Sequence, residues 1–354
     1  MTKISRVPIT VFLELTKRCN LNCLHCCADG GQARPEELST EDWIDFVRYL
    51  AKLKVFRIVI TGGEPLIRND FFTIVREIRK NQSVVLNTNA TLVTDKIAQQ
   101  LSQLGISVIS VSIDGSTPEI HDRNRGSGSF IKTIKGIESL LKHNCRVVIN
   151  SVVTRINYQD IENIVALAKR LGVEKIGFNH VHPTGRARTN KEQIVPSLEE
   201  DTTIADELWK VGQKYGAFVG SWYIDQMKLY NSPPNPHGGI RSISRCSAGK
   251  ETIAITANGD IVPCNNLQEL VCGNIRRSDF ARVWQYSSIL AEFRSLFKLK
   301  VTSLEGCQDC HLVSICPGGC RANAYQEYGS LTAPDPFCRL NPINIERECK
   351  RVHI

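Results

Sequence analysis

Two groups of cysteines in this chain are spaced for metal. The first is Cys19-Asn-Leu-Asn-Cys23-Leu-His-Cys26, a C-x3-C-x2-C loop. Three thiolates in so short a loop can hold three irons of a cubane and leave its fourth iron without a protein ligand. The competing reading is a structural zinc, which prefers four ligands and would have to recruit Cys27 or His25. The second group is Cys246 and Cys264, then Cys307-x2-Cys310-x5-Cys316-x3-Cys320, then Cys338. Seven thiolates in that order suit metal, a zinc ribbon being one reading. Other polar residues punctuate the first half: Thr61-Gly62-Gly63-Glu64-Pro65, Asn87-Thr88-Asn89, Ser112-Ile113-Asp114, Arg125-Gly126 and Asn150-Ser151. The glycines would let a ligand approach the backbone, and Glu64 would offer a carboxylate to an amine.

Whether cysteines mean metal depends on the compartment. No apolar stretch approaches the roughly 18 residues that a membrane span needs. Met1 to Leu15 lacks the apolar core and cleavage site of a signal peptide. The expectation is therefore a cytoplasmic chain, where disulfides are a poor explanation for 14 cysteines and metal a good one. The composition, 42% hydrophobic and 23% charged over 354 residues, excludes a disordered chain, a collagen or a coiled coil. A net charge of +8 suits an acidic peptide, a nucleic acid or a neutral small molecule equally, so it selects no partner.

These residues need a frame, and hydrophobic periodicity predicts one. Strands are expected over Ile9–Leu15, Val55–Ile60, Ser83–Leu86, Ser107–Ile113, Arg146–Val153 and Lys175–Phe178. Helices are expected over Ser39–Leu53, Asp70–Lys80, Thr94–Leu104, Ser129–His143, Asp160–Leu171 and Ser197–Tyr215. Six β-then-α units predict an α/β fold: a parallel sheet with right-handed crossovers, too short to close and so a partial (β/α)6 TIM-like barrel. Its chemistry belongs at the C-terminal ends of the strands, where all the punctuating residues fall. After Trp222 the periodicity stops, and Asn231–Gly239 is rich in proline and glycine. The expected division is a barrel over 1–225, a linker over 226–245, a small cysteine-rich domain over 246–340 and a tail over 341–354.

Over about residues 8 to 225 the combination closely resembles the radical S-adenosylmethionine (SAM) superfamily. The resemblance implies that Cys19, Cys23 and Cys26 hold a [4Fe–4S] cluster whose open iron is chelated by SAM. It places His25 near adenine, Gly62, Gly63 and Glu64 at the methionine amino group, and Ser112 and Asp114 at the ribose or carboxylate. Arg125 would pair with the carboxylate, and Asn89 and Asn150 are further candidates for SAM contact. Ala90 departs from the glycine of many relatives.

The second group resembles the SPASM extension, which carries two auxiliary clusters. The resemblance implies that Cys307, Cys310, Cys316 and Cys338 fully ligate the outer cluster, while Cys246, Cys264 and Cys320 supply three ligands to the inner one. An eighth cysteine is missing, since the stretch before Cys246 reads Gly239-Ile-Arg-Ser-Ile-Ser-Arg245. The inner cluster would then have an open iron or another ligand, with Cys272 the nearest candidate. Cys27, Cys145, Cys272 and Cys349 stay unassigned; Cys27 and Cys272 are candidates for donating a hydrogen atom.

The implied activity is one-electron reduction of SAM to a 5′-deoxyadenosyl radical that takes hydrogen from an unactivated C–H bond. The electron would come from a donor such as flavodoxin or ferredoxin. The expected substrate is a ribosomally made precursor peptide. A haem-pathway decarboxylase acting on a tetrapyrrole and a formylglycine-forming sulfatase maturase are the alternatives; a non-enzymatic metal scaffold is a third. The first strand begins close to the N-terminus, so a separate leader-binding protein is expected as partner. Neither a nucleic acid nor a membrane is expected.

Overall fold

The computed structural model describes residues 5–32, 36–221, 246–338 and 340–346. The expected linker, Cys349 and the end of the expected tail lie outside them. Six parallel strands form the frame: β1 (Thr10–Glu14), β2 (Arg57–Thr61), β3 (Ser83–Thr88), β4 (Val108–Ser112), β5 (Val147–Val153) and β6 (Lys175–His180). Each starts and stops within about two residues of expectation at most ends, because the β-branched runs are bounded by polar residues. A short seventh strand, β7 (Val219–Ser221), extends the row beyond β6.

Helices α1 (Thr40–Lys52), α2 (Phe71–Arg79) and α3 (Asp95–Gln103) follow the first three strands. Ser39 caps α1 through a reciprocal box: the Asp42 N–H donates to Ser39 Oγ at 3.1 Å, and the Ser39 N–H donates to Asp42 Oδ2 at 3.0 Å. Several helices were not expected, and one of them bears on the site. α4 (Pro118–Arg125) precedes α5 (Ser129–Lys142), so Arg125 ends a helix rather than lying in a loop. Its sequence, PEIHDRNR, has no apolar period; only Pro118 at its start and Gly126 after its end mark it. α6 (Ile161–Leu171), the single turns α7 (Arg186–Thr189) and α8 (Lys191–Ile194), and α9 (Leu198–Tyr215) complete this half.

The cysteine-rich part is joined to the same sheet. β8 (Thr252–Ile255) pairs in parallel with β1, from Thr10 opposite Thr252 to Leu13 opposite Ile255. β9 (Asp260–Val262) and β10 (Gly273–Asn274) continue it antiparallel, making ten strands in the order β10-β9-β8-β1-β2-β3-β4-β5-β6-β7. Helices α10 (Phe280–Tyr286), α11 (Ser288–Leu296) and α12 (Arg321–Tyr328) lie beyond. The main apolar core runs through both parts, from Leu13, Trp43 and Ile60 to Ile253, Phe280 and Trp284. A smaller core of Leu267, Phe293, Leu296, Leu304 and Leu331 lies under Cys246, Cys264, Cys307, Cys316 and Cys320. Each fully buried side chain of this kind stabilises by roughly 1.5–3 kcal/mol. Residues at the start of the expected tail pack back: Asn344 Nδ2 donates to Asp335 O and Cys338 O.

Candidate active site

The loop of Cys19, Cys23 and Cys26 follows β1 and is fastened by backbone bonds to the end of β2, to α4 and to α7. Gly63 N–H donates to Thr16 O at 2.7 Å and Glu64 N–H to Arg18 O at 2.8 Å. Leu24 N–H donates to Asn124 O, and Arg186 N–H to Cys26 O. The glycines permit this closeness. A Cβ on Gly63 would lie 2.1 Å from Arg18 O, and one on Gly62, at φ +148°, would lie 2.6 Å from Thr16 O. Arg186, which no local motif revealed, clamps the loop from β6's side: Nε donates to Cys23 O at 2.9 Å and Nη1 to Gly30 O at 2.9 Å.

The loop faces a cavity of about 410 Å³ at the C-terminal ends of the strands. Cys19, Cys23, Cys26, His25, Gly62, Gly63, Asn89, Ser112, Arg125 and Asn150 all line it. Two of the expected contacts do not. Glu64 is fully buried, and its carboxylate accepts from Thr88 Oγ1 (2.8 Å), the Asn89 N–H (2.8 Å) and the Leu66 N–H (3.1 Å). Desolvation pushes its acid up to about 7 despite those donors. Its side chain braces the β2 and β3 ends and does not reach the cavity. Asp114 is likewise buried behind the wall. Its Oδ2 takes Arg125 Nε at 2.5 Å and stands 3.3 Å from His25 Nε2, and its Oδ1 accepts from the Val152 N–H. The neighbouring Arg125, His25 and His121 and the Val152 N–H hold its acid below the usual range against desolvation. Asp114 thus aims two cavity residues, Arg125 and His25. Burial lowers His25 to about 4, so its ring is neutral, and Nδ1 has no hydrogen-bond partner among the described residues.

Asn150 and Asn179 are joined side chain to side chain, and Asn89 Nδ2 reaches Asn20 Oδ1 at 3.0 Å and Cys19 Sγ at 4.0 Å. Ala90 sits at φ +58°, a left-handed turn conformation that favours glycine.

Across the cavity stand Asn265, Asn266 and Gln268, from the loop after Cys264. Gln268 bonds the two halves together. Its Nε2 donates to Glu14 Oε2 at 2.9 Å, and its Oε1 accepts from Lys17 Nζ at 2.7 Å. Lys17 and Glu14 are themselves paired at 2.6 Å, and both are buried.

Cys246, Cys264 and Cys320 are neighbours, and Cys310 neighbours Cys307 and Cys316, which with Cys338 form a second set; neighbouring thiolate charge helps to raise the thiols of Cys246, Cys264, Cys320, Cys307, Cys316 and Cys338. Burial dominates, pushing Cys23, Cys246 and Cys264 up to about 11 and Cys320 and Cys338 to about 12. Yet polar N–H groups point at these sulfurs. Leu21 N–H approaches Cys19, Arg125 Nη1 approaches Cys23, and Gly30 N–H approaches Cys26. Backbone N–H groups or Asn341 serve Cys246, Cys264, Cys307, Cys316, Cys320 and Cys338. Buried sulfurs ringed by N–H donors fit thiolates bound to iron, whose charge the donors share. Among the described residues no three such side chains converge tightly enough for a single metal ion. A multi-iron cluster bridges wider groups. Cys272 is turned away, its Sγ donating to Leu270 O.

Comparison with known proteins agrees with this geometry. Residues 13–168 match the radical SAM superfamily, and residues 246–311 match the SPASM iron–sulfur cluster-binding domain. The chain is 30% identical to mycofactocin maturase MftC of Mycolicibacterium smegmatis, over 94% of this chain and 82% of that one. It is 31% identical to an AdoMet-dependent heme synthase of Methanosarcina barkeri, over 97% and 99%. In fold it is similar to Streptococcus suis SuiB bound to precursor peptide SuiA, with a TM-score of 0.73 and 18% identity over 94% and 76%. No helix among the described residues is long and apolar enough to cross a membrane. The chain belongs to the radical SAM superfamily and is a radical SAM enzyme with a C-terminal SPASM domain that binds iron–sulfur clusters.

Proposed function

We propose that this enzyme matures a ribosomally made peptide in the cytoplasm, using three [4Fe–4S] clusters. Cys19, Cys23 and Cys26 would hold the SAM-binding cluster, Cys246, Cys264 and Cys320 the inner auxiliary cluster, and Cys307, Cys310, Cys316 and Cys338 the outer one. The observation that carries this reading is one cavity walled both by the first cysteine loop and by the residues after Cys264. A substrate there would touch the radical source and an auxiliary cluster together.

When bound, the cluster and SAM supply a 5′-deoxyadenosyl radical. The chain's own residues bind and orient. The backbone of Gly62 and Gly63 would meet the methionine ammonium, while Glu64 stiffens that backbone from behind. Arg125, aimed by Asp114, would take the carboxylate. His25, neutral and buried, offers an apolar ring face and Nδ1 as an acceptor for adenine. Ser112 and Asn150 would meet the ribose, and Asn89 steadies the loop at Cys19. The clasp of Glu14, Lys17 and Gln268 would keep the two walls together. A one-electron donor such as flavodoxin or ferredoxin is needed, and a separate leader-binding protein belongs to this reading.

Near-complete coverage of the heme synthase favours a second reading, decarboxylation of an anionic tetrapyrrole. Anaerobic reconstitution should give about twelve irons per chain, and the triple Cys19→Ala, Cys23→Ala, Cys26→Ala variant about eight. Zinc in place of iron would overturn the cluster reading. Incubation with SAM, reductant and the short peptides encoded beside its gene, against iron coproporphyrin in parallel, decides the substrate. A mass change in the peptide supports maturation; decarboxylation of the porphyrin alone overturns it.

A further inference from the structure

Among the described residues the C-terminal half offers no fourth cysteine to the group of Cys246, Cys264 and Cys320: Cys272 is surrounded by Leu270 O, Ser287 and Arg294. Cys27 interacts with Cys264 but belongs to the first cysteine loop, beside Cys26. The cavity wall beside that group carries another donor. His182 follows β6 by two residues, and its Nδ1 lies 2.6 Å from Asn323 Oδ1, on α12 just past Cys320. The Asn323 side chain is itself hydrogen-bonded to the Asp335 carboxylate, which also accepts the Cys320 N–H at 2.6 Å. A carboxylate fixes that amide with its NH2 towards Asp335, so Oδ1 must accept a proton from His182. The imidazole therefore carries hydrogen on Nδ1 and leaves a lone pair on Nε2. His182 lines the cavity together with Asn265 and Asn266, the two residues that follow Cys264.

An imidazole whose remote N–H is pinned by an acceptor backed by a carboxylate is the arrangement of a metal-ligating histidine. We infer that His182 Nε2 is the fourth protein ligand of the inner auxiliary cluster, so that this cluster is closed by three cysteines and one histidine. The inference rests on the reading above that Cys246, Cys264 and Cys320 hold a cubane. Replacing thiolate by neutral imidazole removes a negative charge from the cluster, which raises its potential above that of the outer, all-cysteine one. That order suits an inner cluster that takes an electron from a substrate radical.

The test uses the full chain carrying Cys19→Ala, Cys23→Ala and Cys26→Ala, reconstituted anaerobically and reduced, so that only the C-terminal clusters contribute. Pulsed EPR should find one strongly coupled 14N, which changes to the 15N pattern when histidine alone is labelled. Adding His182→Asn keeps a donor for Asn323 Oδ1 but removes Nε2. The strong nitrogen coupling should vanish while iron stays near eight per chain. With His182→Gly, added imidazole should restore it. No histidine coupling in the labelled protein, or coupling that persists in His182→Asn, overturns the assignment. Absence of iron from the C-terminal half overturns the cluster reading itself, and the ligand with it.

Discussion

The two cysteine regions are held by different means. The loop from Cys19 to Cys26 is fastened backbone to backbone onto the ends of β1 and β2 and the start of α7, with Gly62 and Gly63 where the chains nearly touch. The region from Cys307 to Cys338 has one helix of its own, α12, and is gathered by side chains. Arg321, with no exposed surface, donates to Leu331 O at 3.0 Å, Ala333 O at 2.7 Å and Gly318 O. Asp335 accepts from the Cys320 and Phe337 N–H groups. A frame made of sheet keeps its shape without metal; a region gathered by a few buried charges and thiols depends on iron for part of its folding energy.

Two substitutions separate these cases. Gly63→Ala drives a methyl into Arg18 O, and neither side is a flexible side chain, so the loop has to move. SAM cleavage should fall by at least about 100-fold, the scale of a 1 Å misplacement. About four of twelve irons should be lost, with the C-terminal irons retained. Retention of all twelve and full SAM cleavage would show that the loop is not held by that contact. Arg321→Met leaves three buried carbonyls without their donor, at about 1–3 kcal/mol each. Iron in the C-terminal half should drop while substrate-free SAM cleavage at the first cluster persists. Equal loss from both halves would erase the contrast.

Much of this was legible in the sequence, for local reasons. Strand runs bounded by polar residues located the frame, and cysteine spacing sorted the two groups, because both signals lie within a few neighbouring residues. What escaped was long-range or lacked a period. The clasp joining Lys17 to Gln268 spans 251 positions. The β8 strand reads like any short apolar run until it pairs with β1, so the expected domain boundary conceals a continuous sheet. The types of Glu64 and Asp114 were informative, but their directions were not. Only packing reveals that both carboxylates face inward, towards backbone N–H groups and towards Arg125.

The smallest expected effect sharpens the contrast from the barrel side, where ordinary protein groups set stability. His121 on α4 has no exposed surface; its Nδ1 accepts the Asp114 N–H at 3.2 Å, and its ring meets Phe130 edge-on. Burial lowers it to about 4 from an ordinary 6.5, helped by Arg125 and opposed by Asp114. The folded ring stays neutral while the unfolded chain takes a proton below pH 6.5. Between pH 6.5 and 4 the unfolded state thus binds more protons, and stability falls as the pH falls. Glu64 works the other way: its folded acid, raised to about 7, binds a proton before the unfolded carboxyl does, so its contribution grows as the pH falls from 7. A raw stability profile mixes the two, so the informative quantity is the difference from His121→Asn. That variant keeps an oxygen for the Asp114 N–H and cannot titrate. Its cost from lost packing is independent of pH, whereas the advantage of the native chain over it should narrow by roughly 1 kcal/mol between pH 7 and 5.5. Unfolding midpoints of both chains measured anaerobically at those two pH values give the number. A constant difference would mean that His121 takes its proton in the fold as readily as in the unfolded chain, against its burial.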